Sequence, residues 1–286
     1  MKLIFTMQGN LGNLFYIFSA FYYALKQNID SYLILHNGYK LVWNLKLPQF
    51  IYNKIKKFII TYDDKFTIPN NKNNITYIGD GPIDSIDLDD IINKNYNTTN
   101  IISFYFGFFQ TCKYFLKYKN EIKKYFIIET DNVNKYKNII HSDDVLISVR
   151  QGDYYNSGYY VLNKEYYIDM YNNYFIGKNI FITSDDINWC KENLTINKFK
   201  NCKNLHYICI LNSYEIVTIS QYFSNFICAN STFSMMLELF SNYENKKAVG
   251  VVDISSEIIR HNAFDNKCII CDLNDPKNYK YITKYN

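Results

Sequence analysis

The sequence predicts an α/β protein of two successive halves, each with helices packed on a parallel, Rossmann-like sheet. Three observations predict it. The first 35 residues read as a strand, a tight glycine loop, a helix and a second strand, the building block of parallel sheets. From Asp144 onward, apolar strand-like runs alternate with helical runs. Between these regions the stretch Val133 to Ser142 is polar and marks a junction, so the halves are expected at 1–140 and 141–286. The 286 residues are 48% hydrophobic, enough for two domains with sizeable cores.

The elements follow in order. Lys2 to Thr6 is a short strand, and Gly9-Asn10-Leu11-Gly12-Asn13 a tight loop. Leu14 to Lys26 is a helix of good propensity with mostly apolar faces, and Tyr32 to Leu35 the next strand. Residues 66–100 are rich in Asn, Asp, Thr and Pro and read as surface loops. Ile101 to Phe126 is expected as a helix with an aromatic face, with Lys113, Lys117, Lys119 and Lys123 on its wet side. Strands are then expected at Val145–Val149, Asn179–Thr183, His206–Cys209, Asn225–Ala229 and Ala248–Val252. The helices between them are expected at Lys164–Phe175, Asp186–Asn193, Tyr214–Tyr222 and Thr232–Ser241.

Composition narrows the function. The chain carries 29 Tyr and 21 Phe with abundant Asn, Ile and Lys, the codon bias of an AT-rich genome, so their abundance is not evidence of a site. The formal net charge of +4 comes from 31 basic and 27 acidic residues, and the basic clusters are short, which excludes the basic stripe of a nucleic-acid binder. The 7 cysteines are scattered. Cys268-Ile269-Ile270-Cys271 has no second pair, so buried reduced thiols in a reducing compartment are expected, with no metal site. The apolar run from Leu14 to Leu25 is shorter than the ~20 residues of a membrane span. A soluble, cytoplasmic protein is expected, and nothing in the sequence fixes whether it forms a homo-oligomer.

In a parallel sheet, ligands bind at the carboxyl ends of the strands, where loops enter helices. Four such loops are polar. They carry Gly9, Gly12 and Asn13; Arg150 and Asp153; Ser184, Asp185 and Asp186; and Asn230, Ser231 and Thr232. Singly, Ser184-Asp185-Asp186 and Asn230-Ser231-Thr232 read equally well as helix caps. The first loop is a turn plus cap and lacks G-x-G-x-x-G, which disfavours a nicotinamide cofactor. Jointly the four converge on one edge and suit a diphosphate. Arg150 offers a planar guanidinium, Thr232 a helix N-terminus and a hydroxyl, and the glycines a close approach. Asp185 and Asp186 suit sugar or ribose hydroxyls.

Five blocks in order resemble the α-1,2-fucosyltransferases of glycosyltransferase family 11, and more distantly the α-1,6- and protein O-fucosyltransferases. Gly9 through Phe15 is similar to the family's G-x-L-G-N-Q-x-F, and Gly107 through Phe115 to its G-Y-F-Q-S-x-K-Y-F. Ser148 through Tyr154 resembles H-x-R-x-G-D-Y, Ile180 through Cys190 resembles F-F-I-F-S-D-D-x-x-W-C, and Asn225 through Ser234 resembles N-I-I-A-N-S-T-F-S. The blocks span residues 1 to about 240.

The resemblance implies a GT-B-like fold, two Rossmann-like domains facing across a cleft, with the acceptor on the N-terminal side. It implies an inverting, metal-independent transfer of L-fucose from GDP-fucose to a hydroxyl of an acceptor glycan, with no other cofactor. Arg150 would stabilise the leaving diphosphate, and Asp153 is by type a candidate base or, equally, a structural carboxylate that holds the loop. Gly9, Asn10, Gly12, Asn13, Ser148, Ser184, Asp185, Asp186, Asn230, Ser231 and Thr232 would line the donor. The chain departs from the pattern in four places. Ser148 replaces the family's histidine, and Met235-Met236 replaces a tryptophan pair. The first loop lacks a glutamine and is one residue shorter. A family aspartate, at a position that helps hold guanine in related enzymes, falls on Ile216 beside Glu215. Another nucleotide-deoxyhexose donor such as an L-rhamnosyl one, or a non-catalytic nucleotide- or glycan-binding relative, are the alternatives.

Overall fold

The computed structural model describes residues 1–7, 9–35, 49–60, 75–78, 87–95, 101–104, 109–152, 154, 160–252, 264, 268–273 and 275–283. The chain divides into two compact units, Met1–Phe126 and Ile127–Asn286.

The first unit opens with β1 (Lys2–Met7), α1 (Leu11–Lys26) and β2 (Asp30–Leu35). Then come α2 (Gln49–Ile55), β3 (Ile59–Ile60), β4 (Ile75–Ile78), α3 (Leu88–Asn95), β5 (Ile101–Phe104), α4 (Lys113–Lys117) and α5 (Lys119–Phe126). The strands form one parallel sheet in the order β3-β2-β1-β5-β4. Much of the core is aromatic. Phe21 of α1 meets Phe5 of β1, while Phe15 meets Phe115 of α4 and both Phe15 and Phe18 meet Phe126 of α5. Such ring pairs each add roughly 0.5–1.5 kcal/mol beyond their buried area.

The structure corrects the sequence reading here. Ile101–Phe126 is not one helix: it begins as β5 and continues, after an irregular stretch, into two short helices. β5 is paired on both sides, by β1 and β4. A strand buried in mid-sheet loses the alternation that separates strand from helix, and its short apolar run is then ambiguous. Lys123, expected in water, is buried with Ile122 and Phe126. The stretch expected as loops, 66–100, holds β4 and α3, and its other residues, apart from Asp87, lie outside the described ones. α1 starts at Leu11, so Gly12 and Asn13 form its first turn instead of a loop.

The second unit contains α6 (Asp131–Lys137), β6 (Val145–Val149), β7 (Val161–Leu162), α7 (Lys164–Tyr174), β8 (Ile180–Ser184), α8 (Ile187–Asn193), β9 (Leu205–Tyr207) and α9 (Ser213–Ser220). It continues through β10 (Asn225–Cys228), α10 (Thr232–Leu239), β11 (Lys247–Val252), β12 (Ile269–Asp272) and β13 (Ile282–Thr283). Its main sheet is parallel, ordered β12-β11-β10-β6-β8-β9, and β13 pairs antiparallel with β7. Counted from β6 in chain order and read from β9, this is 3-2-1-4-5-6, the doubly wound order. Two Rossmann-like units in succession make the fold GT-B-like.

The division at Phe126 precedes the expected one at 140/141 because α6 packs onto α9. Thr130 caps α6, accepting from the Val133 N–H, and its hydroxyl donates to Glu215 of α9 at 2.7 Å. Glu215 spends its other oxygen on the Asn212 N–H in a capping box. In the C-x-x-C, Cys271 belongs to the sheet core, where burial pushes its thiol up to about 11. The seven cysteines are free thiols.

Candidate functional site

In a doubly wound sheet the crevice lies where the strand order reverses, here between β6 and β10. Arg150 leaves the end of β6. β6 and β8 run in register with Val149 opposite Ser184, which sets the next residues, Arg150 and Asp185, level with each other. Arg150 Nη1 lies 3.1 Å from Asp185 Oδ2, and the other oxygen of Asp185 accepts the Gln151 N–H at 2.9 Å. One carboxylate therefore fixes both the guanidinium and the backbone that carries it. Gln151 is wholly buried and donates to the Leu162 carbonyl at 2.7 Å, tying the loop to β7. On the other flank, the Tyr154 ring lies 5.1 Å from the guanidinium carbon, and its hydroxyl donates to the Asn230 carbonyl at 3.1 Å. The fully buried Tyr167 faces the Arg150 backbone, and burial holds its hydroxyl protonated.

Gly152 is dictated by this packing. A Cβ there would meet Asp185 Oδ2 at 2.7 Å and its Cγ at 3.1 Å. Gly152→Ala is expected to push Asp185 off Arg150 and to weaken at least tenfold, in calorimetry, the diphosphate binding that the sequence leads one to expect there, while the thermal midpoint moves by only a few degrees.

The other candidates divide. Asp186 caps α8, accepting from the Trp189 N–H at 3.0 Å, and Ser184 accepts from the Asp186 N–H. Ser231 caps α10 through the Phe233 N–H, and Thr232 begins that helix. Ser148 is buried, with its hydroxyl 2.7 Å from that of Ser234 on α10, so it joins strand to helix beneath the crevice. Asn230 is 2% exposed; its Nδ2 donates to the Tyr160 carbonyl, and its Oδ1 has no hydrogen-bond partner among the described residues. Asp153 lies outside the described residues. Gln151 and Tyr154 were not singled out from sequence, although both stand in the block around Arg150; what betrays them is three-dimensional, the carbonyls they bind at β7 and after β10.

The first unit has its own reversal point, between β1 and β5. Gly9 holds φ +77°, and a Cβ there would sit 2.6 Å from Asn13 Nδ2. That left-handed turn needs glycine and lets the Asn13 side chain fold back under the loop. Asn13 Oδ1 accepts from Gln110 Nε2 at 3.3 Å, which joins the loop after β1 to the segment after β5. Asn10 is the N-cap residue of α1 but makes no side-chain cap. Gly12 is buried in the first turn.

Residues 84–254, more than half of the chain, match the family model described as Glycosyl transferase family 11. The chain belongs to glycosyl transferase family 11. It is a glycosyltransferase, a class that binds a nucleotide-sugar donor and an acceptor and moves the sugar from the one to the other. The residues matched to family 11 include Arg150, Asp185, Asn230 and Gln110, while Gly9 to Asn13 precede them. No curated protein matches the chain. Among solved structures it is similar to the glycosyl transferase family 9 protein of Veillonella parvula DSM 2008, with 8% identity, a TM-score of 0.49, and 95% of this chain and 86% of that one covered. It is also similar to ADP-heptose LPS heptosyltransferase II of E. coli, with 8% identity, a TM-score of 0.46, and coverage of 95% and 90%. For POFUT1 in complex with GDP the figures are 12%, 0.38, 94% and 98%. Among the described residues of this family 11 chain, no helix is long and apolar enough to cross a membrane.

Proposed function

We propose that this chain is an inverting, metal-independent fucosyltransferase that moves L-fucose from GDP-L-fucose to a hydroxyl of an acceptor glycan. The observation that carries the reading is Arg150 at the reversal point between β6 and β10, aligned by Asp185 and carried on a loop anchored by Gln151. Bond breaking leaves positive charge on the sugar ring and negative charge on the departing diphosphate. A guanidinium held in place stabilises that second charge without reorganising, which favours the transition state over the ground state. A guanidinium presents five N–H donors in a planar fork, the geometry that matches phosphate oxygens. The N-terminus of α10 adds backbone donors at the same crevice.

Metal independence is supported by the partners of the two aspartates. Asp185 serves Arg150 and the Gln151 N–H, and Asp186 serves the first turn of α8, so the pair is not arranged as a shared cation cradle. Fucose rests on the five sequence blocks shared with α-1,2-fucosyltransferases.

One observation favours a different base on the donor. The family's guanine-side aspartate is Ile216 here, and neighbouring Glu215 has both oxygens engaged, by Thr130 and the Asn212 N–H. A deoxyhexose carried on another nucleotide is the second reading. Thermal-shift measurements with GDP, UDP and TDP, repeated in EDTA, separate the two. The expected result is stabilisation by GDP, unchanged by EDTA, with transfer from GDP-L-fucose. Stabilisation by UDP or TDP alone overturns the fucose reading.

A further inference from the structure

The Asn13–Gln110 contact brings an unpaired acceptor to the first turn of a helix. Gln110 is 6% exposed, its Nε2 is used on Asn13, and its Oε1 has no hydrogen-bond partner among the described residues. A buried acceptor without a donor costs about 1–3 kcal/mol. Asn13 lies in the first turn of the 16-residue helix α1, and that turn is open: Asn10 supplies no side-chain cap and no acidic residue stands in it. The amide of Gln110 is thus held, through the Asn13 side chain, beside a first turn that its N-cap residue does not cap. Its backbone is held there at a cost, since the preceding Phe109 adopts φ +50°, a region L-residues avoid. Both parts stand at the reversal point between β1 and β5.

The chemistry of the missing partner follows. An anion satisfies the helix N-terminus and repels Oε1. An ammonium satisfies Oε1 and opposes the helix. A hydroxyl does both, because it donates one hydrogen bond and accepts others. We infer that Gln110 and the first turn of α1 form a hydroxyl-binding subsite, in which one sugar hydroxyl donates to Gln110 Oε1 and accepts from a backbone N–H of the turn. This rests on the nucleotide-sugar reading above and makes Gln110 a specificity residue for the sugar, not for the nucleotide. The hydroxyl belongs either to the donor sugar or to the acceptor glycan.

The test uses the full chain with Gln110→Met, which keeps length and removes both polar atoms, and Gln110→Glu, which keeps the acceptor. GDP and GDP-L-fucose affinities are measured by calorimetry, and lactose binding directly by NMR. Gln110→Met is expected to bind GDP as the wild type does. It is expected to lose about tenfold in affinity for GDP-L-fucose if the donor supplies the hydroxyl, or for lactose if the acceptor does. Gln110→Glu is expected to regain most of that loss. The inference is overturned if both sugar affinities of Gln110→Met stay within twofold of wild type, or if GDP affinity falls as far as donor affinity. Should Gln110→Met fail to fold, Gln110→Leu, which also removes both polar atoms, is read by the same two criteria. A wild type that binds lactose but neither GDP nor its sugar overturns the fucosyl-donor reading alone, and the lactose arm still decides Gln110. A wild type that binds none of the three overturns both.

Discussion

Arg150→Ala is expected to abolish stabilisation by the nucleoside diphosphate and to lower kcat/KM for transfer by about 10²–10³, the scale for removing a preorganised donor from a developing oxyanion. The unliganded protein is expected to keep its midpoint within a few degrees. The pair with Asp185 leaves roughly a quarter of each side chain in water, 24% and 22%, and partly exposed pairs contribute at most about 1 kcal/mol. That separation of function from fold makes the variant decisive. Arg150→Lys is expected to fall between, since an ammonium keeps the charge but cannot offer two parallel N–H groups. Asp185→Asn supplies the control: it keeps an acceptor for the Gln151 N–H but loosens the guanidinium, so binding weakens less than in Arg150→Ala. If Arg150→Ala transfers sugar at the wild-type rate, the site lies elsewhere.

The largest stability effect is expected at Lys246→Met. Lys246 Nζ lies 2.6 Å from Glu238 Oε1, with the two side chains only 3% and 0% exposed. Lys246 also donates to the Glu238 carbonyl at 3.2 Å, which ties the approach to β11 to the last turn of α10. Removing one member of a buried pair strands the other charge and costs about 3–5 kcal/mol. For a unit of this size, each kcal/mol moves the midpoint by about 2–4 °C, so a fall of roughly 6–20 °C is expected in calorimetry. The double variant Lys246→Met/Glu238→Leu is expected to recover most of the loss, because neither charge of the pair is then left stranded. A single variant within 2 °C of wild type would mean that water reaches the pair.

What was legible in the sequence was whatever is written locally. The strand ending at Val149 and the helices from Lys164 and Thr232 follow from apolar runs and their caps. Arg150 stood out because a cation at the end of a buried strand demands a partner. That partner is Asp185, from a separate block, and only the register of β6 with β8 discloses it. Gln151 stayed hidden for the same reason: its use is a carbonyl on β7. The N-terminal half was harder to read. β5 is central and two-sided, so its periodicity carries no information, and α6 looks like a polar linker until Thr130 meets Glu215 across 85 residues of chain. Capping also misled. Ser184, Asp186 and Ser231 were named both as ligand groups and as caps, and each caps a turn in the structure.

The all-parallel pairing of the second sheet has a kinetic consequence. Val145 lies beside Asn225, and Ile180 beside Leu205, so no neighbouring strands of that sheet can zip together from a hairpin. Each pairing waits for a long loop to close, which places such topologies on the slow side of the folding spectrum. The β6–β10 junction, with the widest separation across the crevice, closes among the last. Nascent chains therefore spend time with apolar strand edges uncovered, and recovery of native protein is expected to rise when synthesis is slowed by cooling.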